Sequence, residues 1–313
     1  MNLISYIALF IILVVLIMLK NRYEDKRLRE ETDDNYETIQ KYLLDDESLA
    51  KSKKPILWIH VPREYNARSW ASFGSRSSYE LNIPYLHLTV DTIIRFCDES
   101  FTICIIDDFT FKKLIPNWTI DLSAINNPLL SNLRILGQLR LLDIYGGVIC
   151  PVSFLCFKDI IDFYDKQDMF VCESRGSYFQ FAGAAKGSNA LKNVIELAQR
   201  SISLSAHEFN QVLNKYCLKN KRIRLIEGTR IGTKSVDDED ILVDDLMSND
   251  YLKLYENCYG ILIPMDELLA RRKYEWFNRL NKKQVLESNT ILGNYFLINR
   301  ENRKGMKWVS FPQ

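Results

Sequence analysis

The sequence predicts an α/β protein with a mainly parallel sheet flanked by helices, tethered to a membrane by one N-terminal helix. Three observations predict it. Short, bulky apolar runs alternate with longer helical patterns between residues 55 and 205, the order expected of parallel strands joined by crossover helices. A long, mostly apolar segment, 129–145, runs into Gly146-Gly147 and straight on into the β-type residues Val148-Ile149-Cys150. Leu3 to Leu19 is apolar except for Ser5 and Tyr6.

That N-terminal run spans roughly 25 Å as a helix, about one hydrocarbon core. It lacks the basic start and small-residue cleavage site of a signal peptide, so residues 1–20 read as a permanent anchor. Lys20, Arg22, Lys26, Arg27 and Arg29 follow it. The positive-inside tendency then leaves the large domain on the cytosolic side of a single-pass protein, on an internal membrane or in a virion. Residues 21–54 are dense in both charges and read as a solvated stalk.

Pro55 marks the start of the body. Ile56 to Val61 is a first strand, Asn82 to Tyr85 a loop, and Leu86 to Phe96 a helix. Phe101 to Ile106 is a second buried-type strand that ends in Asp107-Asp108. After the 129–145 helix, Val148 to Phe157 carries a third strand and its exit. Met169 to Cys172 is a fourth strand, Phe179 to Ala185 an apolar segment containing glycine, and Asn189 to Leu204 an amphipathic helix. Residues 55–210 thus form one domain and 211–313 an α-rich C-terminal extension. Within it, Arg224 to Ile226 and Gly260 to Ile263 read as strands, and 265–281 and 284–296 as helices.

Composition excludes several classes. With 41 basic and 40 acidic residues the net charge is +1, which gives no field for nucleic acid. The seven cysteines form no CxxC pair and the three histidines are far apart, against a zinc site or a disulfide framework. Buried reduced thiols fit a reducing compartment. The acidic stretch 237–240 lacks the alternation and glycine of a calcium loop, and reads as solvated. Walker, dinucleotide-binding, GxSxG and HExxH motifs are all missing.

The order of the Trp58 strand, the Asp107-Asp108 strand end, the long helix, the Tyr145-Gly146-Gly147 corner and the later Gly-Ala segment resembles DXD-motif sugar transferases of the GT-A fold. This is the group of fungal initiating mannosyltransferases and capsular-polysaccharide transferases, and proteins of this look also occur in large DNA viruses. The resemblance covers residues 55–205. It implies a nucleotide-sugar donor and a divalent cation, Mn²⁺ or Mg²⁺, held by carboxylates against the donor diphosphate.

The expected charges are missing. The family's helix presents an Asp and, three residues on, an Arg; here those positions hold Ile135 and Gln138. The two acids expected after Gly147 are Pro151 and Ser153. Proline offers no ligand and a neutral serine hydroxyl a weak one, so no metal ligand is named. Three accounts stay open: a non-catalytic relative with a structural, assembly or protein-binding role; a transferase using Arg or Lys in place of the cation; or acids supplied from elsewhere in the chain.

The candidate residues follow from those accounts. Asp107 and Asp108 end a buried strand, where ligands gather in open α/β sheets, although one could simply cap the next segment. Glu173, just past the fourth strand, is an acceptor-side base by position. Trp58, Arg134, Gln138, Gly146, Gly147 and Ser153 are the donor-binding candidates, with Trp58 equally readable as core. His60 is readable as a base or as a structural histidine. Arg140, Lys158, Arg300, Arg303, Lys304 and Lys307 are the spare cations, and a solvated basic tail is their alternative. Asn117-Trp118-Thr119 is a formal glycosylation acceptor, without meaning on the cytosolic side.

Overall fold

The computed structural model describes residues 54–62, 83–165 and 169–301. The predicted anchor, almost all of the stalk and the tail after 301 lie outside the described residues. Among those described, no helix is long and apolar enough to cross a membrane.

Alternation of apolar runs and helical patterns yields the expected α/β sheet. Strand β1 (Ile56–His60) leads to helix α1 (Pro84–Cys97), β2 (Thr102–Ile106), the short α2 (Thr110–Leu114), the long α3 (Leu129–Tyr145) and β3 (Gly147–Pro151). Then come β4 (Phe154–Cys156), β5 (Met169–Cys172), β6 (Ala182–Ala184), α4 (Asn189–Arg200), α5 (Ala206–Lys219) and β7 (Ile223–Ile226). The last part carries α6 (Val243–Met247), β8 (Gly260–Leu262), α7 (Met265–Ala270), α8 (Glu275–Asn278), α9 (Lys282–Leu286) and α10 (Ile291–Glu301).

Six strands form one sheet in the order β2-β1-β3-β6-β5-β7. β1 is parallel to β2 and β3, β5 is parallel to β7, and β6 runs antiparallel between β3 and β5. Strand β1 is central and apolar on both faces, with Leu57, Trp58 and Ile59 fully enclosed, as a strand covered by helices on both sides requires. One face packs α2, α3, α4 and α5 through Trp58, Phe111, Leu139, Leu191 and Phe209.

The opposite face carries α1 and a second, two-stranded ladder of β4 with β8. The sequence pattern merged β4 with β3, because apolar residues run almost unbroken from 148 to 157. The free edge of β4 is served by α1. The Thr89 hydroxyl donates to the Val152 carbonyl at 2.6 Å, and the Thr92 hydroxyl accepts from the Cys156 N–H at 3.0 Å. The Asn299 amide of α10 donates to the Cys156 carbonyl at 2.6 Å. Buried backbone groups need such partners.

Two further differences have local causes. Pro84, expected in a loop, opens α1 because proline fits the first helical turn. The single helix expected over 265–281 is broken at Arg271, whose backbone is extended. Its guanidinium and the Tyr274 hydroxyl both bond Asp244 of α6, a tertiary tie that overrides helix propensity. The segment from 211 contributes to both sheets: β7 pairs with β5 in the main sheet and β8 with β4 in the second ladder, and all described residues fall in one compact unit.

Candidate functional site

The carboxyl ends of β1 and β2 bring His60, Asp107 and Asp108 together with Arg134 of α3. Asp107 is local in its bonding: its Oδ1 accepts from the Thr110 N–H at 2.9 Å and hydroxyl at 2.6 Å, fixing the entry to α2. Asp108 turns inward. Arg134 grips it with two parallel bonds, Nε to Oδ1 at 2.9 Å and Nη2 to Oδ2 at 2.6 Å, and His60 Nε2 lies 3.1 Å from Oδ1. The three side chains are only 5%, 9% and 13% exposed for His60, Asp108 and Arg134, so this is a buried ionic cluster rather than a surface pair.

Burial by itself would raise the Asp108 pKa. The hydrogen bonds from His60 and Arg134, with their charges, outweigh burial and hold the carboxyl well below the usual carboxylate range. The Phe111 ring stacks on His60 at 5.2 Å and leans on Trp118 at 5.6 Å. Gly137 lets α3 approach that ring, since a Cβ there would sit 3.1 Å from it. The wall behind the cluster is therefore aromatic and closely packed.

The Gly-Gly corner lies at the opposite, amino end of β3. Gly146 caps α3 with φ 76°, and its carbonyl accepts the Trp58 indole N–H at 3.0 Å. Gly147 has φ 106°, and a Cβ there would lie 2.1 Å from the Ile56 carbonyl oxygen. Gly147 is thus required by the close pairing of β3 with β1, and Gly146 by its positive φ and by the Lys186 backbone nitrogen, 2.9 Å from where a Cβ would sit. Trp58 is fully enclosed beside Tyr145, ring centroids 5.7 Å apart, which makes it core in this arrangement.

At the exit of β3, Pro151 and Val152 lead to Ser153, which is buried. Its hydroxyl donates to the Ile263 carbonyl at 3.0 Å, and its own carbonyl accepts the Ile263 N–H at 3.1 Å. Gln138 lies one turn beyond Arg134 on α3 and is half-buried. Glu173, at the end of β5, is engaged by Lys234 Nζ at 2.9 Å and the Gly228 N–H at 3.1 Å. Its hydrogen bond to Glu173, with a second to Asp238, raises the Lys234 pKa. Tyr178 is raised by burial first and by the Glu173 charge second. Glu173 thus organises the 228–234 loop, away from His60 and Asp108 in sequence and on a different strand.

The donor set can be compared with what Mn²⁺ or Mg²⁺ requires. Such cations need several oxygen ligands, chiefly carboxylates. Asp108 is engaged at both oxygens by an arginine and a histidine, Asp107 Oδ1 by a turn, and positions 151 and 153 offer a ring and a committed hydroxyl. Among the described residues no group of three or more His, Cys, Asp or Glu comes together to hold a metal. The residues present do not fit that cation.

No protein-family model matches the chain, and none of the curated proteins matches it. The functional reading therefore rests on the site itself.

The sequence pointed to the Asp107-Asp108 strand end and to Arg134, but not to their being partners, since 26 residues separate Asp108 from Arg134. His60 was visible as a polar residue in an apolar strand. Lys234, Tyr178 and Tyr259 carried no sequence signal.

Proposed function

We propose that the chain is a membrane-anchored, glycosyltransferase-like protein of GT-A type that does not carry out divalent-dependent sugar transfer, and that it serves a structural or assembly role. The observation that carries this reading is the state of Asp108. It is the acid best placed at the carboxyl ends of the central strands, and Arg134 and His60 occupy both of its oxygens. A carboxylate so held neither ligates a cation nor takes up a proton near neutral pH. The GT-A element of the reading is supported by the mainly parallel sheet and by the Gly146-Gly147 corner at the start of a central strand.

The test is hydrolysis of a panel of nucleoside-diphosphate sugars by the full chain, with Mn²⁺ or with a chelator. The expected result is no metal-dependent turnover; metal-dependent release of nucleoside diphosphate would overturn the proposal. A second reading, transfer with cations in place of the metal, is favoured by Lys158 and Arg230, which stand over the Tyr259 ring and have no carboxylate partner among the described residues. It predicts turnover that is indifferent to chelator.

A further inference from the structure

The face of the sheet that carries β4 and β8 holds a group of cations around two aromatic rings. Lys158 Nζ stands 4.0 Å from the centroid of the Tyr259 ring. Arg230 Cζ stands 5.0 Å from the same centroid and 5.5 Å from that of Phe163. The two rings touch, centroids 4.4 Å apart. Arg224 reaches the same place from β7, donating to the Phe163 carbonyl.

Three cations gathered in this way repel one another, and elsewhere the fold answers such charges with acids. Arg134 has Asp108, Lys234 has Glu173 and Asp238, and Arg175 has Asp240 and Glu267. Among the described residues, Lys158, Arg224 and Arg230 have no carboxylate in ion-pair contact, against the pairs just named. The acid of the group is Asp162, and it is bonded to the Tyr259 hydroxyl at 2.7 Å, which in turn accepts from Arg230 Nη2 at 3.1 Å. Ring contacts of this kind hold a cation in place, at about 0.5–2 kcal/mol each, without neutralising it.

We infer that Lys158 and Arg230 form an anion-binding position, separate from the Asp108 cluster, that takes a phosphate group. Both side chains are half-buried and fixed on the Tyr259 ring, so ordering them has already been met by the fold. A phosphoryl group supplies acceptor oxygens for the ammonium and a planar edge for the guanidinium fork. Its charge offsets the repulsion that the protein leaves standing. The inference does not depend on the glycosyltransferase reading. Phosphate of this kind could come from a soluble pyrophosphate compound or from a phospholipid headgroup, and the two sources are separable.

Inorganic pyrophosphate is titrated by calorimetry and thermal unfolding into the full chain in neutral detergent. A parallel arm uses nanodiscs of phosphatidylcholine with and without phosphatidylinositol phosphate. The expected result is saturable pyrophosphate binding with a raised unfolding midpoint. Affinity should fall about tenfold or more in Lys158→Gln with Arg230→Gln. Lys192→Gln, on the exposed face of α4, should match the parent protein. Arg230→Lys, which keeps the charge but loses the fork, should fall in between. Stronger binding in the phosphoinositide nanodisc than to free pyrophosphate identifies the headgroup as the source, and the reverse identifies a soluble ligand. No saturable binding in either arm up to about 10 mM phosphate, or binding that the double variant leaves unchanged, overturns the inference.

Discussion

Asp108 carries a large single-residue consequence in the fold. Removing one member of a buried ionic cluster leaves the others charged and unpaired, at a cost of about 3–5 kcal/mol. Asp108→Asn should therefore lower stability by that order in a denaturant titration, and Arg134→Ala comparably. The pH dependence follows from the sign of the shift. The folded-state carboxyl sits below its unfolded value of about 3.9, so its contribution is fully present above roughly pH 5 and is lost as pH falls toward the folded value. Acid titration should show the parent losing stability below about pH 4, with the gap to Asp108→Asn closing there. At this scale the sequence was readable for residue types and not for pairing. Asp107 and Asp108 look alike in the chain, and only the turn into α2 decides which one bonds Thr110 and which faces inward.

Strand β3 is fixed by packing at one end only. Its first residue, Gly147, leaves no room for a Cβ against the Ile56 carbonyl, so this glycine is fixed by strand packing whatever the exit of the strand does. Gly147→Ala should cost about 4 kcal/mol or more, read as loss of soluble folded protein or of a cooperative melt. Pro151 and Ser153, at the other end, meet no such demand for an acid. Strand β4 depends on its neighbours instead. Thr92→Val leaves the Cys156 N–H without its acceptor and should destabilise by about 1–3 kcal/mol, measured by thermal unfolding. The alternation of strands and helices was legible because each buried run is short and bounded. Helix α5 escaped notice although Ser205 and Glu208 form a capping box; the S-x-x-E spacing in the sequence is the signal that would have found it.

For the whole molecule, the cysteines and one surface turn bear on where the body resides. All seven thiols are free and buried, and burial pushes those of Cys104 and Cys217 up to about 12. A thiol reagent should leave the native protein unlabelled and react fully only on unfolding; rapid labelling of the native state would contradict this packing. Asn117 and Thr119 are exposed, on a turn where Asn117 has φ 60°, so the acceptor sequence is accessible. If the body lies on the cytosolic side no glycan is added, and a mobility shift abolished by Asn117→Gln would show the opposite orientation. Asn299 has a different reach. Its amide closes the edge of β4 while its backbone carbonyl holds Arg95 of α1 at 2.7 Å, and β7 joins the sheet late in the chain, at residues 223–226 beside β5. During vectorial synthesis, then, the ribosome delivers the first strands long before their last partners. Until residue 299 has emerged, the nascent body presents an open margin at β4 and a bare Cys156 carbonyl.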